Sequence, residues 1–193
     1  MATNKTELLI DKQASCTIIQ LDKLGFEKAD TMRLKTSRLR IRPLHETDWQ
    51  EMKNIFIDFN NSQYAVYDRP LPTEDEEIKT LIKRFAESNL FFVVFPKETN
   101  DMLGYVCFHK VGDRYDLGYC FHSVYHSKGY AYESAQALID YFAKEYGVTK
   151  FTAGTAIDNI PSCKLLAKLG FACVSTEKVS FHNGFSFKVA ILS

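Results

Sequence analysis

The stretch that decides the reading is Tyr125-His-Ser-Lys-Gly-Tyr-Ala-Tyr-Glu-Ser134. Just before it, Leu117 to Phe121 reads as a short strand. Just after it, Ala131, Ala135, Leu138, Ile139, Phe142 and Ala143 recur at helical spacing and mark a strongly amphipathic helix. A strand therefore ends ahead of the stretch and a long helix begins inside it. The first amides of a helix have no internal partners, and the positive end of the helix dipole lies behind them. Such a terminus holds phosphate. Gly129 lets the backbone approach a ligand and reach φ values that other residues avoid, Ala131 keeps the approach open, and Lys128 adds a positive charge.

The neighbouring segments are read by the same periodicities. Leu39-Arg-Ile-Arg42 alternates apolar and charged residues before Pro43, as a strand does. Thr47-x-x-Gln50 and Thr73-x-x-Glu76 resemble capping boxes opening two helices. The first helix carries Trp49, Met52, Ile55 and Phe56 on one face, the second Ile78, Leu81, Ile82 and Phe85. Leu90 to Phe95 reads as a buried strand, paired with Met102 to Val111 through Lys97 to Asp101. Phe151 to Ile157 is a further strand. Pro161 then starts a short helix, with Leu165, Leu166 and Leu169 inward and Gly170 as its stop. Thr176 to His182 and Phe185 to Leu192 flank Asn183-Gly184, a strong hairpin turn signal. The order predicts a mixed α+β domain and not a regular βαβ repeat. Residues 1–34 form an N-terminal extension of unassigned structure, packed on the domain or on a partner chain, and 35–193 form the domain itself.

Composition narrows the function classes. Lysine plus arginine and aspartate plus glutamate number 24 each, so the chain lacks the basic excess that nucleic acid draws. Five cysteines, none in a CxxC pair, argue against a disulfide framework or a zinc site and fit a reducing cytoplasm. Cys120 and Cys163 read as inert thiols, because no local partner activates them. His122 and His126 fall on a strand end and a loop, so no metal is expected there. The N-terminus has no apolar segment of signal-peptide form. Leu90 to Phe95 is too short for a bilayer, which needs about 20 residues, so no membrane partner is expected. A Walker or dinucleotide fingerprint is absent.

The loop His126-Ser-Lys-Gly129-Tyr-Ala131 resembles the phosphate loop of the GNAT superfamily of acyl-CoA N-acyltransferases, with histidine where that family has arginine or glutamine. The likeness is greatest to its RimJ/RimL-type branch. Thr36-Ser-Arg-Leu-Arg-Ile-Arg-Pro43 looks like that branch's opening strand, and Asp116-Leu-Gly-Tyr119 like its fourth. Asp158-Asn159-x-x-Ser162 with Lys168-Leu-Gly-Phe171 looks like its last CoA-contacting segment. The resemblance implies a GNAT fold: a mixed, mostly antiparallel sheet split between strands 4 and 5 and flanked by helices.

It also implies a site. Pantetheine would lie in the split against Phe121, His122 and Ser123, as an added strand would. Ser127, Lys128, Gly129, Tyr130 and Ala131 would cradle the pyrophosphate, and Asn159 would hold the pantetheine arm. Acetyl-CoA would be the acyl donor. The acceptor would be a small-molecule amine or a peptide N-terminus, and a homodimer is compatible with the sequence. A neutral amine must attack the thioester, so Asp116 is the candidate base. The family's proton-donating tyrosine falls at Leu166, which leaves Ser162 as proton donor or thiol partner. Glu133 reads as a first-turn helix acid instead of a rival base. Tyr64, Tyr67 and Asp68 fall in the region that lines the family's acceptor pocket. The absent tyrosine leaves a second reading open, a non-catalytic acyl-CoA-binding or scaffolding module of the same fold.

Overall fold

The computed structural model of the chain describes residues 32–178 and 186–192. The chain order is β1 (Leu34–Lys35), β2 (Leu39–Pro43), α1 (Trp49–Asn60), α2 (Asp75–Glu87), β3 (Phe91–Pro96), β4 (Gly104–Val111) and β5 (Arg114–Phe121). It continues with α3 (Tyr130–Tyr146), β6 (Phe151–Ala156), α4 (Ile160–Lys168), β7 (Ala172–Lys178) and β8 (Ser186–Leu192). The strands form one eight-stranded sheet in the order β1-β2-β3-β4-β5-β6-β8-β7. Every pairing is antiparallel except β5 with β6.

That parallel pair is short. Only Tyr115↔Phe151 and Asp116↔Thr152 are in register. Beyond them β5 stays with β4 as far as Phe121, and β6 stays with β8 as far as Ala156. The sheet is thus two halves joined at one end and open at the other. The opening is the split between strands 4 and 5 implied by the resemblance. Here those strands are β5 and β6, because the two-residue β1 ahead of them was not read from the sequence.

Two cores hold the sheet. On one face α3 buries Ala135, Leu138, Ile139 and Phe142 against Leu90, Phe92, Val94, Val106, Phe108 and Leu117. On the other, Met52, Ile55 and Phe56 of α1 and Ile78, Ile82 and Phe85 of α2 cover Phe91, Val93, Phe95 and Tyr105. β3 contributes to both faces, which explains its unbroken apolar run. Helix α3 ends at Gly147, whose φ of 64° is the left-handed conformation that stops a helix.

Four local readings differ from the structure. The Thr47 and Thr73 capping boxes do not form: α1 follows a 3₁₀ turn at Glu46–Asp48, α2 starts at Asp75, and neither helix has a side-chain cap. Asp48 instead accepts from the His45 amide at 2.8 Å and pairs with Arg42 at 2.6 Å, a charge-assisted bond that a threonine cannot supply. β5 begins at Arg114, not Leu117, and β7 begins at Ala172, not Thr176. The Asn183-Gly184 turn and nearly all of the N-terminal extension lie outside the described residues.

Phe142 is the centre of the α3 core. It is 2% exposed, and its ring lies 4.8 Å from that of Phe108 and 5.7 Å from those of Phe92 and Tyr115. Phe142→Ala is expected to destabilise the domain by about 3–5 kcal/mol, read as a lower urea midpoint.

Candidate acyl-CoA site

The open end of the split lies between two helix N-termini, because α3 follows β5 and α4 follows β6. At α3 the cap residue is Gly129, with φ 81° and no side chain to satisfy the first amides. Ser127 is also left-handed, at φ 59°. The first turn therefore presents open N–H groups to the outside. A cleft of about 690 Å³ runs beside it, lined by Ser127, Lys128 and Gly129 of the loop, with Arg38, Tyr132 and Lys168. Tyr130 and Ala131 form the first positions of the helix itself.

A distant turn braces the loop. Glu133 accepts from Thr36 Oγ1 at 2.5 Å, Ser37 Oγ at 3.0 Å, and the Arg38 amide and Nε at 3.0 and 2.7 Å. Arg38 also donates to the Lys128 carbonyl at 3.0 Å and covers the Tyr130 ring. Partial burial pushes the Glu133 pKa up, but these bonds outweigh it and hold the carboxyl at about 2. Glu133 is thus a structural acid, as its first-turn position suggested.

His126, which stands where the resembling family has arginine or glutamine, braces the other side. Its Nε2 donates to the Phe121 carbonyl at 2.7 Å.

The exposed edge of β5 can be named from its ladder. His122 N bonds Leu103 O at 2.9 Å, and Tyr115 N bonds Lys150 O at 3.1 Å. By antiparallel alternation, the backbone groups of even-numbered residues face β4, and those of odd-numbered residues face β6. Past the last β5–β6 pair, Tyr119 and Phe121 therefore face the gap. His122 and Ser123, expected along with Phe121, have their polar groups engaged with Leu103 O and with Asp58 of α1. Ser123 donates through its amide and hydroxyl to Asp58 at 2.7 and 2.6 Å, and His122 Nδ1 lies 3.4 Å from the same carboxylate.

Asp116 stands at the closed end of the split, where β5 and β6 are still paired. It accepts from Thr152 Oγ1 at 2.6 Å. Arg114 approaches Asp113 instead, at 4.0 Å. Burial raises the Asp116 pKa, against the pull of Thr152 and of His109, its in-register neighbour on β4. His109 is depressed by its own burial and drawn up by Asp116.

Across the gap, Asn159 caps α4, and its Oδ1 accepts from the Ser162 amide at 3.3 Å. The Ser162 hydroxyl meets Tyr119 Oη at 2.7 Å instead of satisfying its own helix turn. Leu166 is buried in the core. Tyr64 lies 5.7 Å from the His126 ring, and Tyr67 donates to Asp158 O at 3.1 Å. The α1–α2 connection thus touches both rims of the opening.

Sequence reading missed Tyr119, Thr152, Asp58 and the Thr36–Arg38 clamp as site residues. Tyr119 lay within a quoted motif, but its side-chain partner is 43 residues away. Among the described residues no group of three or more His, Cys, Asp or Glu side chains is placed to hold a metal, and no helix is long and apolar enough to cross a membrane.

A mixed sheet parted between two strands, with an uncapped helix N-terminus at the mouth, defines the acyl-CoA N-acyltransferase architecture. The profile of the acetyltransferase (GNAT) domain matches residues 38–172, and the chain belongs to that family. It is 30% identical over 141 residues to the uncharacterized N-acetyltransferase YnaD of Bacillus subtilis (strain 168), covering 72% of this chain and 82% of that one. A GNAT-family acetyltransferase from Bacillus anthracis superposes with a TM-score of 0.74 at 25% identity, over 83% of this chain and 98% of its own. RimL, a ribosomal L7/L12 α-N-protein acetyltransferase solved with coenzyme A, shares the fold with a TM-score of 0.74 at 17% identity, over 83% and 97%.

The Glu133 clamp carries a pH signature. A carboxyl held at about 2, below its ordinary 4.5, adds stability that is complete above pH 4.5 and lost as pH falls toward 2. Wild type should therefore exceed Glu133→Gln in stability at neutral pH, and the gap should close over that interval in acid denaturation curves.

Proposed function

We propose that this chain transfers an acetyl group from acetyl-CoA to a primary amine by direct attack within a ternary complex. The observation that carries the reading is the split. Beyond Asp116 and Thr152 no strand among the described residues pairs with this edge of β5, although His126 takes the Phe121 carbonyl, and the open α3 N-terminus lies at the mouth. An extended pantetheine arm matches the Tyr119–Phe121 edge as a strand would. The diphosphate matches the amides at Gly129, Tyr130 and Ala131, with Ser127 and Lys128 beside them.

The chemistry follows from the groups at each end. The amine attacks the thioester carbonyl, whose oxygen a β5 amide polarises. Asp116 accepts the amine's proton, directly or through water; burial raises its basicity, which suits that task. The Ser162 hydroxyl, on the opposite rim, addresses the leaving sulfur. Holding both substrates in the split supplies the orientational part of the acceleration.

A peptide N-terminus is the favoured acceptor class, supported by the fold shared with RimL, a protein α-N-acetyltransferase. A small amine is the alternative. The tyrosines and Asp68 of the α1–α2 connection offer aromatic and acidic contacts suited to a cationic amine. A reducing cytoplasm suits the free thiols of Cys107, Cys120, Cys163 and Cys173. The binding-module reading draws on Leu166, a buried apolar residue at the family's tyrosine position.

Gly129→Glu puts a carboxylate where the diphosphate would lie. It should abolish stabilisation of the protein by CoA in thermal melts, with the melt of the free variant recording any backbone cost separately. Unchanged CoA affinity would mean that this loop is not the phosphate site. Turnover is read as thiol release from acetyl-CoA with a panel of amines and short peptides. Asp116→Asn should lower it roughly 10²–10⁴-fold at neutral pH with CoA affinity intact. The deficit should narrow in alkali, where amines deprotonate unaided. Equal turnover at every pH would remove Asp116 as base, and CoA binding without turnover on any amine would favour the binding module.

A further inference from the structure

We propose that Tyr119 is a positioning residue for acetyl transfer, fixing the Ser162 hydroxyl so that its proton points at the leaving sulfur of CoA. The inference rests on the acetyl-CoA reading above and extends it to a residue on the opposite rim of the split.

Tyr119 lies on β5 beyond the last residue paired to β6, so its backbone borders the gap. Its side chain packs on the α3 face and reaches the first turn of α4, where Oη meets Ser162 Oγ at 2.7 Å. The contact joins the two rims where the sheet itself no longer does. A phenol is a stronger acid than an aliphatic alcohol and is therefore the better donor of the two. With Tyr119 donating, the serine oxygen is satisfied and its own proton is left to turn to a third atom. Asn159 Oδ1 holds the Ser162 amide at 3.3 Å, so the backbone under that hydroxyl is fixed as well.

Burial pushes the Tyr119 pKa up to about 12, although Ser162 pulls it back. The phenol thus remains a donor throughout the working pH range and is not itself a proton source. Leu166 is buried and has no hydroxyl to offer in its place.

The balance of the step is simple. The amine nitrogen forms a bond to the carbonyl carbon with its lone pair, the carbon–sulfur bond breaks, and sulfur leaves with that bond's electron pair. The amine's proton goes to Asp116. Ser162 stabilises the thiolate by donating a hydrogen bond, and the thiolate takes a proton from solvent after release. Tyr119 gives up nothing; it sets the direction of the serine O–H.

The test needs no acceptor. CoA is titrated by calorimetry into wild type, Tyr119→Phe, Ser162→Ala, Ser162→Thr and the Tyr119→Phe/Ser162→Ala double variant. The pKa of the bound CoA thiol is then read from ultraviolet thiolate absorbance, with the desulfo-CoA complex of each variant as blank. Tyr119→Phe should bind CoA as wild type does and hold the thiol at a higher pKa. Ser162→Ala should raise it further, by roughly one unit in all. The double variant should match Ser162→Ala, and Ser162→Thr should stay near wild type. A wild-type thiol pKa in Tyr119→Phe would overturn the inference. So would an equal rise with and without Ser162, or loss of CoA binding on removal of the phenol alone. Failure of wild type to bind CoA at all would instead sink the acetyl-CoA reading, and this inference with it.

Discussion

Two backbone register pairs, Tyr115↔Phe151 and Asp116↔Thr152, govern the rest of the molecule. Among the described residues they are the only ladder between the two halves of the sheet. β5 keeps its partners on β4 to the end, and β6 keeps its partners on β8. Neither strand can follow the other further without giving up a longer ladder. The halves therefore part, and β5 is left with backbone groups that no strand among the described residues pairs. Such an edge, with the uncapped N-terminus of α3 beside it, suits the extended, anionic acyl donor proposed above.

The rim of that opening is braced from distant parts of the chain. Glu133 holds the turn at Thr36–Arg38, and Arg38 returns a bond to Lys128 O, so the α3 N-terminus is tied to the β1–β2 turn. His126 ties the loop to Phe121 O and aligns the end of β5. Asp58 draws Ser123 and His122 toward α1. These contacts engage side chains and leave the first amides of α3 open, which is the arrangement an anion site requires.

The parts of the site that were legible are those whose chemistry is local. Gly129 announced an unusual backbone φ at the start of α3, Pro161 the start of α4, and the Asp116-Leu-Gly-Tyr119 run a strand carrying an acid. The illegible parts are pairwise. Phe121, His122 and Ser123 look alike as a strand end, yet the His122 amide bonds Leu103 just ahead of β4 and Ser123 is held by Asp58 of α1, while ladder alternation puts the Phe121 backbone on the gap side. The Thr47 capping signal failed for a similar reason: Asp48, anchored by Arg42 from β2, replaced it.

By itself the sequence determined the apolar periods of α1, α2, α3 and α4, the buried run of β3, and the turn that opens α3. Each is set by side chains within a few residues of one another, which sample the same neighbours in any compact state. Only the tertiary structure decided where β5 and β6 part, which backbone edge lines the gap, and which hydroxyls meet across it. The Glu133 clamp spans 97 residues and the Tyr119–Ser162 contact 43. Distances of that kind are set by packing of the two cores on the sheet, and no local pattern encodes them.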